Sequence, residues 1–68
     1  MTGPKYKATI ERLGLTQKAA GELFGVKLRL AQRWCVDGPS PAAALALRLA
    51  IKFGVTVDEM LKLRDKRD

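Results

Sequence analysis

The sequence predicts an all-α bundle of five short helices, on three observations. Apolar residues recur at spacings of three and four rather than two. Glycines close the periodic stretches, and Thr, Ser or Pro open most of them; these are the residues that stop and start helices. Alanine supplies much of an apolar fraction of 47%, and alanine is the best helix former. No alternating run, repeat or low-complexity segment breaks the pattern. Sixty-eight residues make one domain, near the lower size limit for a self-supporting core.

Each element follows from local chemistry. Gly3-Pro4 starts the first helix, because proline fits the first helical turn. Tyr6, Ile10 and Leu13 then share one face, and Gly14 closes the helix as a left-handed cap with Leu15 folding back. Thr16 is the N-cap of a second helix, whose inward face is Ala20, Leu23 and Phe24 and which Gly25 ends. A third helix runs from Leu28 to Cys35, with Ala31, Trp34 and Cys35 on its inward stripe. The stretch VDGPS, residues 36–40, reads as a turn. Ser40-Pro41 opens a fourth helix that runs to Phe53 and is capped by Gly54. Thr56 to Glu59 has capping-box spacing, with Val55 and Met60 placed as a hydrophobic staple, so a fifth helix ends near Leu63. The domain spans residues 1–64, and 65–68 form a frayed, charged tail.

Charge and composition narrow the function. The net charge is +6, which in so small a domain biases it toward polyanions, nucleic acid before anionic membrane. A lone cysteine forms no internal disulfide and fits a reducing compartment. No signal-peptide pattern is read, and the longest apolar stretch, Ala42 to Phe53, is too short to span a bilayer and is broken by Arg48 and Lys52. These features predict a cytoplasmic, nucleoid-associated protein with no membrane partner. No histidine is present, Cys35 has no metal-ligating companions, and no glycine-rich phosphate loop follows a strand. No catalytic residue, metal, cofactor or small-molecule ligand is therefore expected.

The stretch TQKAAGELFGVKLRLAQRWCVDG, residues 16–38, carries the most information. A left-handed Gly25 with Val26 tucked behind it turns the chain sharply between two short helices, and the second is then a ridge narrow enough for a major groove. Residues 13–38 resemble the helix-turn-helix of the phage repressor and Cro-like family, the XRE family. The matching features are Thr16-Gln17, the small Ala20 and Gly21, Leu23, Gly25-Val26, Trp34 and Gly38, and the motif core is 16–36. The resemblance implies the compact five-helix bundle of that family, and covers nearly the whole chain. Three residues depart from it. Lys27 stands where the family has a Ser or Thr cap, Ala31 where it has Val or Ile, and Cys35 where it has Glu. Lysine accepts no amide bond, which weakens that cap by about 1 kcal/mol. Ala31 leaves room that Leu28 or Leu30 is expected to fill.

The resemblance implies sequence-specific binding of double-stranded DNA by a small prokaryotic or phage transcriptional regulator, repressor-like, with the third helix in the major groove. Lys27, Leu28, Arg29 and Arg33 are the candidate base-reading positions. Arg29 and Arg33 lie one turn apart, opposite the inward stripe, and arginine's fork matches guanine O6 and N7. Leu28 has two readings, contact with a thymine methyl or an inward turn. Gln17, at a helix N-terminus, with Lys18, Gln32 and Ser40, are the candidate phosphate contacts. The alternative from another class is a helix-turn-helix interaction module, adaptor- or antitoxin-like, that holds a partner protein. One reading helix covers few base pairs, so weak homodimerisation or pairing on DNA is expected. Its contacts are expected at Val36 to Pro39 or at Val57, Met60 and Leu61.

Overall fold

The computed structural model describes residues 1–66. Five helices follow in chain order: α1 (Gly3–Arg12), α2 (Gln17–Leu23), α3 (Leu28–Asp37), α4 (Pro41–Phe53) and α5 (Val57–Asp65). Among the described residues there is no strand, and no helix is long and apolar enough to cross a membrane.

One local device recurs at the ends of α1, α2 and α4. Gly14, Gly25 and Gly54 each adopt positive φ, between 66° and 76°. The residue after each folds back: Leu15 N–H donates to Ile10 O at 2.8 Å, Val26 to Gly21 O at 2.9 Å, and Val55 to Ala50 O at 2.9 Å. This is the Schellman closure, which satisfies carbonyls that a helix end leaves free. The next residue is then an N-cap in extended conformation: Thr16, Lys27 and Thr56. Thr16 Oγ1 accepts from Ala19 N at 3.1 Å and Thr56 Oγ1 from Glu59 N at 3.2 Å. Lys27 makes no such bond. Thr2 caps α1 by the same chemistry, a cap that sequence reading passed over in favour of Gly3-Pro4.

The core is built from α1 to α4. Tyr6 and Ile10, Ala20 and Leu23, Ala31 and Trp34, and Ala43, Ala44, Leu47 and Ala50 are buried. Trp34 is the hub, edge-on to Tyr6 with ring centres 5.7 Å apart and tilted against Phe24 at 5.9 Å. Such aromatic pairs add about 0.5–1.5 kcal/mol beyond the area they bury. α5 buries no residue.

Three boundaries or placements differ from expectation. α3 continues two residues beyond Cys35, so Val36 and Asp37 are helical and the turn is confined to Gly38–Ser40. Packing is the reason. The N-terminus of α1 lies so close to the end of α3 that a Cβ on Gly3 would collide with the Val36 carbonyl, and Gly38, at φ 97°, makes the stop. α5 likewise runs past Leu63, which puts Arg64 and Asp65 in the helix and Lys66 at its cap; residues 67 and 68 of the expected tail lie outside the described residues. Leu28 and Leu30 fill no space beside Ala31, being 47% and 44% exposed. There is no space to fill, because α2 approaches at Gly21, where an added Cβ would stand 2.7 Å from that of Ala31.

Candidate nucleic-acid interface

α3 is held from two sides, by α1 and by α2, and its third side faces solvent. Ala31, Trp34 and Cys35 point inward. Helical spacing therefore places Arg29, Gln32, Arg33 and Val36 on the outer crest, and all four are exposed. Together with Asp37 they line a shallow surface depression of about 410 Å³. Lys27 and Leu28 stand at the head of the same helix, both exposed. Of the four candidate base-reading residues, Arg29 and Arg33 line the depression with Gln32, whereas Leu28, the first residue of α3, and Lys27, its N-cap, lie outside it. Leu28 is exposed and is not turned inward beside Ala31.

The remaining candidates occupy other helix heads. Gln17, partly exposed, and Lys18, exposed, open α2. Ser40 is exposed at the head of α4, where its hydroxyl oxygen accepts from Ala43 N at 3.2 Å. That bond uses a lone pair and leaves the hydroxyl hydrogen to donate. None of these three lines the α3 depression.

Two residues of the depression, Val36 and Asp37, are expected from the sequence only as a turn and as a pairing contact between copies, not as part of the α3 surface. Val36, 75% exposed, is an apolar side chain one turn after Gln32 and Arg33. Asp37 accepts from Arg33, Nε to Oδ2 at 2.8 Å, with both side chains largely exposed. That ion pair fixes one edge of the guanidinium. Both residues were read as part of a turn. The signal that finds them is the continuation of the helical period to Gly38, the first residue that must stop it.

The electrostatics of α3 oppose its own stability. A helix N-terminus is the positive end of the macrodipole and favours acids, and the C-terminus favours bases. α3 has Lys27 at its head, no acid in its first turn, no base in its last turn, and Asp37 as its last residue. Arg33 precedes Asp37 by four, which is the less favourable order for such a pair. Between Leu23 and Val57 the chain has five basic residues, Lys27, Arg29, Arg33, Arg48 and Lys52, against the single carboxylate of Asp37.

Cys35 is partly buried and its thiol lies 3.7 Å from Ala31 O. Burial pushes its pKa up; the Lys7 charge pulls against that shift and Glu11 adds to it. Among the described residues, no group of three or more His, Cys, Asp or Glu is placed to hold a metal ion. Comparison with protein families, with curated proteins and with solved structures finds no significant match to this chain. The resemblance to the repressor and Cro-like family rests on the residues themselves.

Proposed function

We propose that this chain binds double-stranded DNA sequence-specifically, as a small prokaryotic or phage transcriptional regulator of repressor type, with the outer crest of α3 in the major groove. The observation that carries the reading is the head of α3. Lys27 holds the backbone geometry of an N-cap, φ −71° and ψ 157°, without supplying the acceptor. Uncapped amides, the helix dipole and a lysine charge there concentrate positive potential at one point, which is what a phosphate requires, so Lys27 serves as a phosphate contact rather than as the base reader that the resemblance implies.

Arg29 and Arg33 then face base edges, and Asp37 holds Arg33 by Nε so that its terminal nitrogens are left for guanine. Val36 contacts a thymine methyl near the end of the helix, and Leu28, about 12 Å away at its head, contacts a second one. Gln17, Lys18, Gln32 and Ser40 bind phosphates and set register. Asp37 also repels phosphates, which lowers affinity for random DNA and so sharpens discrimination.

Pairing on DNA is proposed because one reading helix covers few base pairs. The molecule measures 33 × 24 × 20 Å. Two copies on half-sites about 34 Å apart meet edge to edge at most, so pairing is weak in solution and cooperative on a palindrome.

Selection from a random duplex library tests the reading and returns both motif and symmetry. On the selected site Arg33→Ala is expected to lose about 1–3 kcal/mol and relax one base pair, whereas Gln17→Ala weakens all sequences alike. No enriched sequence from the library, with no binding to random duplex at low salt, would refute it.

A further inference from the structure

α4 turns a row of large apolar residues to solvent. Leu45, Leu49 and Phe53 follow at intervals of one turn, and all are exposed, Phe53 by 68%. Leu49 is also one lip of a groove of about 420 Å³ between α4 and α5. Leu23, Phe24, Ala50 and Val55 line it, and Met60 and Leu63 line its α5 side, Leu63 being 67% exposed. The groove exists because α5 stands on the bundle without burying a residue. A contiguous apolar surface of this kind in a small domain marks a contact site.

Charge says what fills it. Beside the apolar row run Arg48 and Lys52, one turn apart and exposed, with Lys52 Nζ 5.6 Å from the Phe53 ring centre. No carboxylate occurs from Gly38 to Val57. On the α5 side Glu59 and Lys66 flank Leu63, and Arg64 is already engaged with Asp65 and with Glu22 O. A second copy of this chain is a poor occupant, since pairing through this face gathers the Arg48–Lys52 rows of both copies into one interface with no carboxylate on either α4 to offset them. A membrane surface is flat and leaves the concave groove unfilled. An amphipathic helix fits both features: its apolar ridge enters the groove and acidic flanks meet the basic row.

We propose that the α4–α5 groove seats an amphipathic helix of a partner protein, with apolar residues at i, i+3 or i+4, and i+7, and with Glu or Asp on the flank that meets Arg48 and Lys52. This surface shares no residue with the α3 depression, so the proposal stands apart from DNA binding.

The test titrates the full chain against two labelled helical peptides of about five turns. Both carry the same leucine face; one has glutamate flanks and the other lysine flanks. The glutamate peptide is expected to bind at least about ten-fold more tightly than the lysine peptide. Leu49→Ser with Phe53→Ser is expected to abolish that binding, and Arg48→Glu with Lys52→Glu to reverse the preference. Arg48 and Lys52 are exposed, so the second pair decides the matter even where the first pair disturbs folding. Equal binding of both peptides, or of neither, overturns the proposal. So does sedimentation showing self-association that Leu49→Ser and Phe53→Ser remove, which assigns the face to a second copy. So does capture by phosphatidylglycerol vesicles that depends on the same residues while the peptides do not bind, which assigns it to lipid.

Discussion

α3 and α5 are helices of ten and nine residues built by opposite rules. α5 obeys every local rule: Thr56 caps it, Asp58 and Glu59 sit in its first turn, and Lys62 and Arg64 in its last. It nevertheless buries no residue fully, and Val57, Met60 and Leu61 are only half-covered. α3 breaks the same rules at both ends and buries Ala31 and Trp34 between α1 and α2. The difference teaches where each helix gets its stability. α5 leans on its local signals, on three half-buried side chains and on the Arg64 bond to Glu22 O, while α3 is secured by the core and its surface is released from helix-stabilising duty. A surface so released can carry charges chosen for another molecule.

The largest effect expected is from Trp34→Ala, about 3–5 kcal/mol, since it removes the hub of the aromatic core. That is a large share of the 5–15 kcal/mol that holds domains together, roughly, and should leave the chain largely unfolded in a thermal melt. Leu63→Ala on α5 is expected to stay within about 0.5 kcal/mol of wild type. Equal losses at the two sites would erase the contrast between the helices.

Next comes Gly25→Val. At φ 70° an added Cβ meets nothing within 4 Å, so its cost is conformational alone. A β-branched residue in the left-handed region should lower stability by about 1–2 kcal/mol or more. A normal denaturant midpoint would show that the chain tolerates another turn between α2 and α3.

Lys27→Thr sharpens the comparison in the other direction. It restores the cap that Thr16 and Thr56 already make, so it should raise stability by about 1 kcal/mol and weaken binding to every duplex. A gain in stability with unchanged DNA affinity would remove the functional reason for the lysine.

A small effect of the opposite sign is expected at Tyr6, whose buried hydroxyl has no hydrogen-bond partner. Tyr6→Phe relieves that desolvation and should be neutral or stabilising by about 1 kcal/mol. Burial, with the nearby Cys35 charge, raises the phenol above its ordinary 10.0, and burial raises the Cys35 thiol above 9.0. Above those values the unfolded chain ionises first, so stability falls with rising pH until the folded groups ionise as well. A Tyr6→Phe melt series at alkaline pH should lose the phenol's share of that fall.

Element positions were legible because caps are local. Gly14-Leu15-Thr16 and Gly54-Val55-Thr56 end one helix and begin the next with three residues. Arg29 and Arg33 were legible because the period that puts Trp34 inside puts them outside. Val36 and Asp37 were hidden because Asp-Gly-Pro reads as a turn, although the helical period continues to Gly38; the close approach of Gly3 to the Val36 carbonyl packs that last turn. The outward Leu28 and Leu30 depend on how closely α2 meets Ala31, a distance between helices that no local signal encodes. The open α4–α5 groove is likewise a property of packing: Leu49 and Leu63 have core-like chemistry and no neighbour to complete it.

Amide shift mapping of the full chain titrated with a selected duplex separates the two surfaces directly. Shifts are expected at Gln17 and Lys18 and along Lys27, Arg29, Gln32, Arg33 and Val36, while Leu45, Leu49, Phe53 and Leu63 stay where they are. Shifts confined to α4 and α5 with a quiet α3, or no shifts with any duplex, would contradict the assignment of α3 as the DNA-reading helix.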